Sequence, residues 1–206
     1  YENEKKFEDA GIPSLPIMEY QEKHPLGKSE WVKVFGWLTG KVPEAEDLFE
    51  DIQQKYIATM KKEPLLDAPV VFTGSYSSGN WYAPGARSSM AQFIRDAGAV
   101  YLFEDHQSRQ NVSIPFENLY VQALEADFWG KIIYEKGELT KEQLRANDNR
   151  FAELPSFRKD QVFYCNAAET DYFGMGVLEP HLILEDLIAI FNYQDHESYY
   201  FTLIQR

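Results

Sequence analysis

Four short apolar runs, each followed by a stretch of helical periodicity, constrain this chain more than anything else in it. They are 69–73 (PVVFT), 99–103 (AVYLF), 126–134 (ADFWGKIIY) and 160–165 (DQVFYC). Continuous apolar runs of this length suit strands buried on both faces. Strand and helix alternating in series predict an α/β fold, with a mostly parallel sheet sandwiched by helices. Helix boundaries are written in the same stretch. Ser89 is placed to cap a helix that ends at Gly98, with Gln92 completing a capping box. Another helix starts near Pro115 and runs to about Leu124, and Thr140 with Gln143 forms a second capping box. Residues 179–191 (EPHLILEDLIAIF) read as a long amphipathic helix with Leu182, Leu184, Leu187, Ile188 and Phe191 inward.

The first third of the chain reads differently. Residues 12–18 (IPSLPIM) form a short extended segment, which Pro13 and Pro16 demote to an edge strand or a linker. Trp31, Val34, Phe35 and Leu38 fall at helical spacing before Gly40. Pro43 then opens a helix whose apolar stripe is Ala45, Leu48, Phe49, Ile52, Tyr56 and Met60, ending before Pro64.

Charge and composition remove whole classes of function. The 33 acidic residues outnumber the 20 basic ones, a formal charge of -13. Such a chain repels phosphate backbones and anionic membrane surfaces, so no nucleic-acid partner is expected. No apolar run is long enough to span a bilayer, and the opening residues YENEKKFEDAGIP have no signal-peptide core. That opening, without an initiator Met, reads as a chain processed or cut from something longer. Cys165 is the single cysteine and reads as a buried thiol. No G-x-S-x-G, H-E-x-x-H, Walker or C-x-x-C motif is present. His106 in FEDHQS and His196 in YQDHES each follow an acidic pair and are the candidates for a metal site.

The stretch 75–99 (SYSSGNWYAPGARSSMAQFIRDAGA) carries the ligand-binding expectation. Trp81 and Tyr82 lie between a Gly-Asn and a Pro-Gly turn, in the connection between a strand and the next helix. Connections of this kind stand at the carboxyl ends of parallel strands, where ligands bind. Two aromatics offer flat faces, and Arg87 adds positive charge ahead of a helix N-terminus, so a flat or anionic ligand is expected.

The order of these motifs resembles substrate-binding proteins of bacterial ABC importers, in the class whose two lobes are joined by a rigid helix. The resembling segments are AGIPSLPIMEYQEKHPLGKSEWVKVFGWLTGKVPEAEDLFEDIQQKY, GNWYAPGARSSMAQFIRDAGAVYLF, SIPFENLYVQALEADFW and the closing NRFAELPSFRKDQVFY with DYFGMGVLEPHLILEDLIAIF. The resemblance implies three parts: residues 1–24 as a remnant of the N-terminal lobe, 25–63 as interlobe helices, and 64–206 as the C-terminal α/β lobe. It implies an extracytoplasmic carrier, periplasmic or a cell-surface lipoprotein, that performs no chemistry and needs no cofactor. Its cargo would be an iron–siderophore complex, haem or a cobalamin-like ring, passed to ABC permease subunits in the membrane. Ligand contacts carry over to Trp81, Tyr82, Tyr76 and Arg87, with Arg109 on the next loop, and permease docking to Glu117. A departure from the family pattern is Glu169-Thr170 in place of Gly-Asn before Asp171, Tyr172 and Phe173, which would bring negative charge toward the cleft. Three alternatives stand beside this reading: a metal-ion carrier using His106 or His196, an α/β enzyme using carboxylates in the Trp81 cleft, and an interaction domain without a small-molecule site.

Overall fold

The computed structural model describes residues 2–61 and 67–204. Helix α1 (Glu2–Asp9) leads through an irregular segment to three consecutive helices, α2 (Pro25–Glu30), α3 (Val32–Thr39) and α4 (Val42–Thr59). The remainder alternates strand and helix. The strands are β1 (Val70–Thr73), β2 (Ser75–Ser77), β3 (Asn80–Ala83), β4 (Val100–Tyr101), β5 (Val112–Pro115), β6 (Phe128–Ile133), β7 (Val162–Asn166) and β8 (Phe201–Leu203). The helices between them are α5 (Ser89–Asp96), α6 (Phe116–Ala123), α7 (Lys141–Asn147), α8 (Pro155–Arg158), α9 (Met175–Leu178) and α10 (Pro180–Phe191), with a 3-10 turn at Asn149–Glu153.

The main sheet has the order β4-β1-β6-β7-β8, parallel except for the antiparallel edge strand β8. Side chains alternate across a strand, and neighbouring residues of β6 show what covers each face. Phe128 packs against Phe191 of α10, at 5.3 Å between ring centres. Trp129 points the other way, against Phe151 of the 3-10 turn at 5.0 Å and Trp81 of β3 at 5.8 Å. The sheet is therefore flanked by α10 on one side. On the other lie the segment around Phe151 and a second, antiparallel sheet of order β2-β3-β5. That small sheet is absent from the expected plan.

Other local expectations are corrected. Ser88 rather than Ser89 caps α5, its side chain accepting from the Ala91 N–H at 3.2 Å. Gln92 makes no capping box; its amide donates to Asp96 at 2.8 Å. The box at Thr140 and Gln143 is present, and Gly40 ends α3 in the left-handed region at φ 72°. Along α4, Ala45, Phe49, Ile52 and Tyr56 are buried, while Leu48 is exposed. In α3 the expected apolar face is not buried: Phe35 and Leu38 are exposed, together with Trp37. Gly36 makes the close contact instead. A Cβ at that position would collide with the Ala45 methyl and the Lys41 carbonyl, so α3 and α4 meet through their smallest residues. Residues 12–18 form no strand, and Ile12, Leu15 and Ile17 are exposed. Pro64, the expected end of the helical segment, lies outside the described residues.

Candidate functional site

Residues 75–83 form a β-hairpin, and its register decides which side chains reach a ligand. Ser77 pairs with Asn80 across a two-residue turn, Ser78 and Gly79, both at positive φ (49° and 83°). Two positive φ values in a row match the twist of the flanking strands and fix the register. Tyr76 then lies opposite Trp81, and Ser75 opposite Tyr82. Directly opposed residues share one face of the pair, and adjacent residues face opposite ways. Trp81 and Tyr82 cannot both be in a ligand site.

Trp81 faces inward. It is 1% exposed, with Phe72, Trp129 and Phe151 around its ring, and its indole N–H donates to the Thr73 carbonyl at 3.0 Å. The expectation that it stacks on ligand is thus corrected: alternation turns it into the core. Tyr76 follows it, half-buried and edge-on to Phe116 at 5.1 Å and Phe151 at 5.9 Å. Tyr82 takes the opposite face and lines a cleft of about 360 Å³ at the carboxyl end of the main sheet.

The cleft draws on separate parts of the chain. Thr73, Gly74 and Ser75 leave the end of β1, and Lys131 and Ile132 come from β6. Ser88, Ser89 and Met90 form the start of α5, and Tyr172 and Phe173 follow β7. Arg109 and Asn111 precede β5, while Tyr20, Glu22 and Lys28 reach in from the N-terminal segment. Gly74 sits at φ 133°, and a Cβ there would strike the Tyr82 carbonyl and the Trp81 indole. A glycine is what lets the chain turn from the main sheet into the hairpin over Trp81.

Cations outnumber acids in the described lining. Lys28, Lys131 and Arg109 face the cleft, with Glu22 as the acid among the described lining residues. Glu22 accepts the Trp31 indole N–H at 3.1 Å. Burial holds the Lys131 ammonium below the ordinary lysine range, with Glu135 opposing that shift. Lys28 is lowered for the same reason, against the pull of Glu19. Among the described residues, none of the three cations has an acid in ion-pair contact. Such a surface, with Lys28 and Lys131 half-buried and Arg109 exposed, favours an anionic group that neutralises its positive charge. Lys131 was missed in the sequence, although a lysine inside the apolar run FWGKII is a signal, because Lys is rarely placed in a buried strand without cause.

The remaining site expectations fall as follows. Arg109 lines the cleft. Arg87 does not; it is exposed and borders a neighbouring groove. Glu169 bonds the Gly137 N–H at 2.8 Å and is not among the cleft residues, so the expected negative charge does not enter there. Glu117 stands in the first turn of α6 with its side chain 77% exposed, 3.4 Å from Arg150 Nη1. The Arg150 guanidinium lies over the Phe116 ring at 3.9 Å and is held by both Asp148 oxygens. His196 is bonded to the buried Asp186 at 2.9 Å, and His106 packs edge-on to Phe103. Among the described residues no group of three or more His, Cys, Asp or Glu side chains is arranged to hold a metal ion. No described helix is long and apolar enough to cross a membrane.

The family model for periplasmic binding proteins matches residues 3–169, and the chain belongs to that family. Its relatives include an uncharacterized lipoprotein of Methanocaldococcus jannaschii, 26% identical over 90% of this chain and 44% of the relative. An uncharacterized protein of the same organism is 25% identical over 97% of this chain and 61% of its own length. The chain spans about half the length of the curated relatives it matches. Among solved structures, a periplasmic heme-binding protein of Pseudomonas aeruginosa is similar with TM-score 0.69, at 15% identity. That likeness covers 98% of this chain and 72% of the other. An ABC transporter substrate-binding protein of Listeria monocytogenes has TM-score 0.68 at 14% identity, covering 94% of this chain and 73% of its own. These likenesses bear on the fold, which is that of a mostly parallel sheet flanked by helices.

Proposed function

We propose that this chain is the C-terminal lobe, with its connecting helices, of an extracytoplasmic solute-binding protein serving an ABC importer. A second lobe outside this chain would close over the cleft. The cargo is an anionic, ring-bearing molecule, an iron–siderophore complex or haem, with a cobalamin-like ring as the weaker fit to a cationic lining. The observation that carries this reading is the cleft itself, where three cations with no acid in ion-pair contact among the described residues stand beside Tyr82, Tyr172 and Phe173. Aromatic faces stack on a ring, and lysine and arginine bond its carboxylate or oxyanion groups. The family match supports a carrier rather than an enzyme.

Delivery would proceed through Glu117, whose exposed carboxylate suits an arginine pocket on a permease subunit. The relatives described as lipoproteins support placement outside the cytoplasm. Residues 1–24 would complete the other lobe, and the helices at 25–63 would limit the lobes to small relative movements.

The test is quenching of tryptophan emission on titration with ferric siderophores, haemin and cobalamin. The lobe alone is expected to bind one anionic class more weakly than micromolar, and the polypeptide with both lobes much more tightly. Tyr82→Ala and Lys131→Gln are each expected to weaken binding about tenfold or more. No saturable response to any of the three, from folded two-lobed protein, would defeat the proposal. Micromolar or tighter binding by this chain alone would contradict the need for a second lobe.

A further inference from the structure

A second groove, about 340 Å³, lies beside the cleft and is lined by Lys23, Ala86, Arg87, Gln92, Arg95, Glu104 and Gln107. A thin ridge separates the two. Glu22 faces the cleft and Lys23 the groove; Ser88 faces the cleft and Arg87 the groove. Three of the seven lining residues are cationic, in a chain whose formal charge is -13.

The three cations are in different situations. Arg95 is fixed: its Nη1 donates to Glu104 at 2.7 Å, and its Nη2 to the Ala86 carbonyl at 3.0 Å and Gln92 at 3.1 Å. That pairing uses the carboxylate found among the described lining residues of the groove. Arg87 is held, among the described residues, through its inner nitrogen, Nε donating to Gln107 Oε1 at 3.0 Å. Gln107 is itself anchored, its amide donating to the Glu104 carbonyl at 2.7 Å. The Arg87 backbone is clamped as well, its N–H donating to the Ser108 carbonyl at 2.9 Å. The guanidinium is thus oriented while its two outer nitrogens, like the Lys23 ammonium, have no acid in contact among the described residues. Oriented guanidinium donors next to a second free cation match the geometry of a carboxylate, phosphate or sulfate. With Arg95 paired to Glu104, Arg87 and Lys23 are the cations of this groove without an acid in contact among the described residues, and an anion seated between them would relieve their mutual repulsion.

We propose that Arg87 and Lys23, beside the Arg95–Glu104 pair, form an oxyanion site separate from the main cleft. The oxyanion is either a free small anion or an acidic arm of a molecule seated across the ridge. The inference does not depend on what the cleft carries.

The test is calorimetric titration of the chain with citrate and with inorganic phosphate at constant ionic strength. Saturable binding of at least one is expected, weakened about tenfold or more in the Lys23→Gln/Arg87→Gln double variant. Arg87→Lys, which keeps the charge and loses the fork, is expected to fall between. Arg109→Gln, which alters the main cleft, should leave the affinity within about twofold. Both groove residues are exposed, and circular dichroism of the double variant should match the parent. Absence of saturable binding overturns the proposal. So does unchanged binding in the double variant, or an equal loss in Arg109→Gln, which would put the anion in the cleft. A second arm adds haemin with and without saturating citrate. Competition that disappears in the double variant marks capture of a cargo carboxylate. Citrate binding indifferent to haemin, or seen where haemin does not bind, marks a free-anion site.

Discussion

The two faces of β3 carry adjacent aromatic residues with opposite duties. Trp81 is 1% exposed and is wedged among rings of the main sheet; Tyr82 is 41% exposed and lines the cleft. Their chemistry is similar, so composition cannot separate them. Hairpin register can, because the period of a strand is two and the turn at Ser78-Gly79 sets its phase. The contrast teaches that the cleft rests on a core element: Trp81 bonds the Thr73 carbonyl beneath the turn from which the cleft wall rises. Ligand binding and stability are therefore expected to respond to different substitutions one residue apart.

The largest effect should come from Trp81→Ala. Truncating a fully buried tryptophan costs about 3–5 kcal/mol. In a chain of this size that lowers the melting temperature by very roughly 10 °C, measured by calorimetry or circular dichroism. A loss under about 1 kcal/mol would break the comparison. Gly74→Ala should follow, at roughly 2 kcal/mol, because the added methyl meets the Trp81 indole at a positive φ. The same variant should also disturb binding, since Gly74 lines the cleft. Tyr82→Ala is expected to alter stability by less than about 1 kcal/mol while weakening an anionic ring ligand about tenfold.

Protonation sharpens the contrast further. Burial lowers both Lys131 and Lys28, so each loses its charge at a lower pH than an exposed lysine. A neutral amine no longer attracts an anion, so affinity should fall as pH rises toward the ordinary lysine range from below, with Lys131→Gln flattening the profile. Affinity rising over that range would contradict the assigned role. The smallest effect concerns Cys165, whose thiol burial pushes up to about 11. It should stay unreactive toward a thiol reagent in native protein and react at once in denaturant.

Much of the architecture was legible because local patterns agreed with the global plan. The apolar runs became β1, β4, β6 and β7, and α10 and the Thr140 capping box fell where their residues place them. The parts that were not legible share a cause: they depend on contacts between segments distant in sequence. Residues 75–83 read as one connection, although alternation around Ser78-Gly79 is a hairpin signal. With that turn unrecognised, Trp81 and Tyr82 could not be assigned to opposite faces. Phe35 and Leu38 have core spacing but lie exposed, because α3 meets α4 through Gly36. Arg109 and Arg87 were separable only in three dimensions, where one lines the cleft and the other the neighbouring groove.

The central claim is that the cleft beside Tyr82 holds the ligand while the Trp81 face supports it. Paramagnetic broadening in amide NMR spectra tests this most directly, with a ferric siderophore or haemin added in small steps to the labelled chain. The account predicts early loss of signals from Gly74, Tyr82, Lys131 and Tyr172, with those of Tyr76 and Phe151 persisting to higher ligand. Broadening centred on Tyr76 and Phe151, or spread evenly over the surface, would contradict it.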